Sequence, residues 1–242
     1  MYTVSMTRQP LDRSRVIEAA VERADREGLE SISMRSLAAG LGVVPMALYK
    51  HVAGRDDLVA AMIDSVVEAY APPRPGLGWQ DAVRARIHSA RAGLLAHPWL
   101  RTAIESATVR TPAVLGHMDA VAGELLHGGL SPDLAHHAMH ALGHRIWGFS
   151  PEAFSAPPAG DAASPSAASA GLAHPDPAAQ AELARQLAER FPNVVAIALS
   201  AAERTPTGAC DDDAEFDFTL DLLLDAFERL HRARWESRPV VG

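Results

Sequence analysis

Residues 33–55 read SMRSLAAGLGVVPMALYKHVAGR. The stretch splits at Gly42 into two short helices joined by a tight turn. The first is expected over about residues 34–40, with Ser33 as its N-cap. The second starts at Pro45, whose missing N–H suits the first helical position, and is expected to reach His51. Leu37, Ala38, Leu41, Val43 and Leu48 face inward on this reading. Pro45, Met46, Ala47, Tyr49 and Lys50 face outward. A short helix with a core on one side and a Tyr-Lys-His cluster on the other is suited to a DNA major groove.

Working outward, Ile17, Ala20, Val21 and Ala24 recur at helical spacing, which predicts a helix from near Asp12 to Glu27 that Gly28 ends. A further helix is expected after Gly54. Asp56 and Asp57 lie in its first turn, where carboxylates favour the helix dipole. Its apolar face is expected to be Leu58, Ala61, Met62, Ser65, Val66 and Ala69. Pro72-Pro73-Arg74-Pro75-Gly76 then breaks the chain. The expected domains are therefore 1–71, a terminal arm followed by the helix-turn-helix, and 72–242.

The remainder also reads as helical, so the expected fold class is all-α. Val83, Ile87, Ala90 and Leu94 form one stripe of a helix over residues 79–96, with Pro98 marking its end. Thr111-Pro112 opens a helix to Leu126, closed by Gly128-Gly129. Ser131-Pro132-Asp133 opens another, to about Gly148. Residues 151–175 are rich in Pro, Ala, Ser and Gly and are expected to form a flexible loop. A helix from Asp176-Pro177 carries Leu183, Leu187 and Phe191. Asn193 is the expected cap of a short apolar helix to Ala202. The last helix, about residues 214–234, carries Phe216, Leu220, Leu224 and Phe227.

Bulk properties narrow the function. The formal net charge of -8 excludes a diffusely basic nucleic-acid binder, so DNA contact needs a local patch. Between Arg35 and Arg55 the chain carries Arg35, Lys50 and Arg55 with no acid among them, and Lys50 is its only lysine. The single cysteine, Cys210, precedes Asp211-Asp212-Asp213, neighbours that disfavour a reactive thiolate. No 18-residue apolar run and no apolar signal core are present, which predicts no membrane partner and a cytoplasmic location.

LDRSRVIEAAVERADREGLESISMRSLAAGLGV, LYKHV and RDDLVAAMID together resemble the DNA-binding domain of the TetR family of bacterial transcriptional regulators. WQDAVRARI, HPWL and LSPDLAHHAMHALGH resemble the C-terminal domain of its tetracycline-repressor branch. The resemblance implies a dimeric repressor that binds double-stranded operator DNA and is released by a small-molecule effector. It places base-reading positions at Arg35, Pro45, Met46 and Ala47, and backbone contacts at Ser33, Tyr49, Lys50, His51 and Arg55. Arg35 suits guanine, Met46 and Ala47 suit a thymine methyl, and Tyr49, Lys50 and Arg55 suit phosphate. Tyr49 and His51 also fit a purely structural role.

The branch's drug–magnesium ligands align with Ala71, Arg86, Ala90 and a position near Arg110, and none keeps its His, Asn or Phe. The expected effector is therefore not tetracycline–magnesium. Arg86, Trp99, Arg110, Met118, His140 and Trp147 are the candidate pocket residues, with ordinary core packing as the other reading of the apolar and aromatic ones. His136, His140 and His144 stack at i, i+4, i+8, with His137 beside them. They read either as interface histidines or as a metal sensor's ligands, although no cysteine completes a set. The Ser131 helix and the last helix are the expected dimerisation elements. An all-helical enzyme is a further alternative. However, no phosphate loop, nucleophile elbow or His-Glu-x-x-His is present, so no catalytic residue, metal or cofactor is expected.

Overall fold

Local signals set the first helices of the computed structural model, which describes residues 11–147, 185–186, 188–204 and 211–238, without the side chains of 144–147, 198 and 201–204. Helix α1 (Arg13–Glu27) begins where the Asp12 carboxylate accepts the Arg15 N–H at 2.8 Å. It buries Val16, Ala20 and Ala24, one residue per turn on one stripe. Helix α2 (Met34–Leu41) starts with a capping box in which Ser33 and Ser36 bond reciprocally. It ends at Gly42, whose φ of 65° lets the Val43 N–H return to the Ala38 carbonyl.

Helix α3 is shorter than its sequence suggests. It spans Pro45–Leu48, not 45–51. Residues 49–51 form a turn in which the His51 N–H donates to the Leu48 carbonyl. The last turn tightens to this i→i+3 bond, and Arg13 Nη1 donates to the His51 carbonyl that it leaves open.

Helix α4 (Arg55–Glu68) buries Leu58, Ala61, Met62, Ile63, Val66 and Val67. Ser65 and Ala69, expected on the apolar face, are exposed, and Ile63 and Val67 take their place. The reason is that α4 packs on both sides, against α1 and against α7 (Pro112–His127). Residues 69–78 lead to α5 (Trp79–Ala96). Helix α6 (Trp99–Ser106), which was not expected from the sequence, follows Pro98 directly. Thr111 caps α7, with its hydroxyl accepting the Val114 N–H. Helix α8 spans Pro132–Trp147. Helix α9 (Pro192–Arg204) begins on Pro192 itself, one residue before the expected cap. Helix α10 (Asp212–Arg232) starts where the Asp211 carboxylate accepts the Asp213 and Ala214 N–H groups.

The described residues are helix, turn and loop, without a strand. None of their helices is long and apolar enough to cross a membrane. The expected arm at 1–10, the loop at 151–175, the start of the helix from Asp176, Cys210, and the side chains of His144 and Trp147 lie outside the description.

By contact the chain forms two compact units, residues 1–148 with 222–242, and residues 149–221. Within the first, one core joins Val16, Leu37, Leu48, Leu58 and Met62 to Leu100, Ile104 and Val114. The turn-linked pair α2–α3 therefore shares its core with α6 and α7. Within the second, Val194, Ile197 and Leu199 of α9 are exposed, while Phe216 and Leu220 of α10 are buried.

Candidate nucleic-acid interface and ligand cavity

The α3 segment is held by one fully buried side chain, Leu48. Its outer surface is unusually apolar: Met46 is 71% exposed and the neighbouring Val44 67%. Ser33, Arg35, Pro45, Tyr49 and Lys50 are exposed as well, and Ala47 and His51 are half-buried. Eight of the nine sequence-assigned positions are thus at least partly exposed on or beside α2 and α3. Val44, which the sequence reading passed over, joins them because it is the N-cap of α3.

Arg55 is engaged differently. Its Nε donates to the Ile32 carbonyl at 3.0 Å, which ties the start of α4 to the turn before α2. Arg13 makes a second tie, through the His51 carbonyl and the Asp57 carboxylate. Asp57 also accepts the Ala53 N–H at 2.8 Å. The Arg13 hydrogen bond, and then that of Ala53, hold the Asp57 carboxyl below the usual carboxylate range.

Below this surface, α4 to α8 wall a cavity of about 300 Å³. Its lining is largely apolar, with Val67, Ile87, Leu94, Val121 and Leu142 among it. Arg110 and Met118 line it as expected, and so does Ala90. Arg110 is exposed at the edge and donates to the Ile104 carbonyl. An adjoining cleft of about 270 Å³ is lined by Arg86 and Ala71. Arg86 donates from Nε and Nη2 to Glu124 Oε1, at 3.0 and 2.9 Å. Thus all four positions aligned with the drug–magnesium ligands border one space or the other.

Trp99 and His140 do not. Trp99 is 4% exposed, and its indole N–H donates to Asp25 at 2.7 Å, so it pins α6 to α1. His140 lies on the exposed side of α8, with its ring centroid 4.6 Å from that of His136. Among the cavity residues that escaped the sequence reading are Tyr70 and His117, whose rings meet edge to face at 5.2 Å. Burial pushes the Tyr70 phenol up to about 12. Burial, and then the charge of Arg86, push the His117 imidazole down. A lone His in GHMD and a lone Tyr in EAYA gave no sign that they would meet.

His136, His137 and His140 remain exposed on α8. Among the described residues no group of three His, Cys, Asp or Glu side chains is placed to hold a metal ion.

Residues 72–230 match a family model described as the tetracyclin repressor-like C-terminal domain. The chain belongs to the TetR family of bacterial transcriptional regulators. Among its TetR-family relatives is the HTH-type transcriptional repressor DrrR1 of Streptomyces coeruleorubidus, 38% identical over 113 residues, which are 46% of this chain and 42% of that protein. The class D tetracycline repressor of Escherichia coli is 33% identical over 88 residues, 35% of this chain and 40% of that one. The chain spans about half the length of the curated relatives it matches. Among TetR-family structures, ActR of Streptomyces coelicolor in complex with actinorhodin aligns with a TM-score of 0.61 at 25% identity, covering 91% of this chain and 96% of that one.

Proposed function

We propose that this chain is a DNA-binding transcriptional repressor, a cytoplasmic homodimer released from its operator by a small molecule other than tetracycline–magnesium. The observation that carries this is the shared core: Leu37 and Leu48 of the reading pair pack in one cluster with Ile104 and Val114, which line the cavity. An occupant that moves α6 or α7 then moves the elements that hold α3. Residues 1–71 present the DNA surface on this reading, with Val67 and Tyr70 near their end lining the cavity, and 72–242 supply the rest of the effector space and the partner surface.

The naming of DrrR1 as a repressor and the ActR complex with actinorhodin support the reading. Exposed Leu222 on α10, and the histidine side of α8, supply surface for a second copy. In a dimer, two α3 helices about 34–36 Å apart match successive major grooves. Arg86 paired with Glu124, and Arg110 bonded to a backbone carbonyl, are poor ligands for a drug-bound magnesium, which takes oxygen donors.

Effector and DNA must then weaken each other's binding reciprocally. The test is fluorescence anisotropy on DNA flanking the gene, with Arg35→Ala and Lys50→Ala beside the unaltered chain. Arg35→Ala should relax base preference, and Lys50→Ala should weaken binding on every sequence with a shallower salt slope. Affinity for that DNA no greater than for random sequence would count against the regulator reading.

A further inference from the structure

Four polar side chains line the main cavity: Tyr70, Glu105, Arg110 and His117. Two have protein partners. Glu105 accepts from Arg101 Nε at 3.0 Å, and Arg110 donates to the Ile104 carbonyl. The Tyr70 hydroxyl and the His117 ring nitrogens have no hydrogen-bond partner among the described residues. Both side chains are half-buried. Their polar atoms keep access to solvent, so water or a ligand satisfies them.

The pair is held in place by its surroundings. A Cβ on Gly93 of α5 would come within 2.4 Å of Tyr70 Cε1, so the ring occupies space that only a glycine leaves open. His117 meets it from α7 with the ring planes at 83°. Tyr70 and His117 border both the cavity and the cleft, and so stand at the partition between them. With the phenol pushed up and the imidazole pushed down, both are neutral at pH 7. Together they offer a phenolic O–H, one ring N–H and one ring nitrogen acceptor, and no charge.

We infer that the effector is an uncharged, mainly apolar molecule with a hydroxyl or carbonyl group that is read by Tyr70 and His117. Its regulatory meaning rests on the repressor reading above. A carboxylate brought into this space would lose its hydration among apolar walls and meet a neutral imidazole in exchange. The hydroxyl or carbonyl instead supplies what the two side chains lack. The site is also suitably placed to signal. Tyr70 follows the end of α4, with its N–H on the Val67 carbonyl at 3.1 Å. The first residue of α4, Arg55, bonds the Ile32 carbonyl beside α2. A contact at Tyr70 therefore acts on the helix that supports the reading pair.

Three probes on one skeleton test this with the full chain: phenanthrene, 9-phenanthrol and phenanthrene-9-carboxylate, titrated by fluorescence. The phenol should bind about fivefold tighter than the hydrocarbon, the scale of one added hydrogen bond. The carboxylate should bind at least about tenfold more weakly than the phenol. In Tyr70→Phe and His117→Phe the preference for the phenol should shrink while phenanthrene still binds. Tyr70→Phe removes one oxygen, and thermal melting of each variant confirms that it is folded.

A carboxylate that binds as tightly as the phenol would move recognition to Arg110 and overturn the inference. So would a phenol preference that survives both substitutions, or binding of none of the three. Operator affinity measured on the same samples separates the two readings. Loss of operator binding with the phenol preference intact discards the repressor and keeps the cavity chemistry, and the opposite pattern does the reverse.

Discussion

The indole N–H of Trp99 on α6 donates to Oδ1 of Asp25 on α1 at 2.7 Å, and His97 Nδ1 sits 2.8 Å from the same oxygen. One carboxylate thereby clamps the start of α6 to a helix of the DNA-reading part. Ala113 at the start of α7 makes a parallel link, its N–H donating to Asp64 of α4 at 3.2 Å. The cavity walls are thus bolted to the reading head at two points by polar bonds, in addition to the shared core.

Trp99→Phe removes the donor and trims the buried indole to a smaller ring. The lost hydrogen bond alone should cost about 1 kcal/mol. For a chain of this size that is a fall of roughly 2–4 °C in Tm. Effector-driven release of operator should weaken along with it. Melting curves and operator titrations with and without effector check both effects, and a variant with unaltered Tm and unaltered release would show the bond to be idle.

Leu48 and Met46 lie two residues apart with opposite roles. Leu48→Ala opens the fully buried centre of the reading pair and should cost about 2–5 kcal/mol. Met46→Ala alters a side chain that is 71% exposed and should change stability by less than about 0.5 kcal/mol. Its effect should fall on operator choice, at base pairs where a thymine methyl contributes. Denaturant unfolding and binding to a set of single-base operator variants distinguish the two.

Lys50 allows a chemical test without mutation. It is the only lysine in the chain and is exposed on the α3 surface. Mild acetylation at pH 8.5 should modify Lys50 and any free α-amino group, remove one positive charge, and weaken operator binding by about tenfold or less at moderate salt. Bound operator should slow the reaction at Lys50, as read by peptide mass spectrometry. Equal labelling with and without operator would place the amine away from DNA.

Acid should destabilise the chain partly through His117. Its folded pKa is depressed, first by burial and then by Arg86, so the unfolded chain takes up a proton at a higher pH than the folded one. The unfolded form therefore binds more protons just below the ordinary histidine pKa of about 6.5. Stability is complete above that pH and falls as the pH drops through and below it. His117→Gln should flatten this part of the Tm–pH curve between about pH 7 and 5. The same slope in the variant would assign it to other histidines.

What the sequence determined by itself is set by near neighbours. Asp12, Ser33, Gly42 and Thr111 act within a few residues of their own position, through caps and a left-handed turn, so the start of α1, both ends of α2 and the start of α7 were legible. The LYKHV motif and its surroundings were enough to assign the family. Helix α6 was not legible because it has eight residues and follows a proline read as a helix end.

Other features depend on segments far apart in the chain, and only the tertiary structure decided them. Arg13 satisfies the His51 carbonyl, in the turn after α3, from 38 residues away. Trp99 proves to be a clamp because Asp25 lies opposite it, 74 residues earlier. Tyr70 and His117 form the uncharged pair at the cavity because Gly93 leaves room for the Tyr70 ring. Such contacts leave no periodic trace, since each depends on which helix faces meet once α4 to α7 have packed.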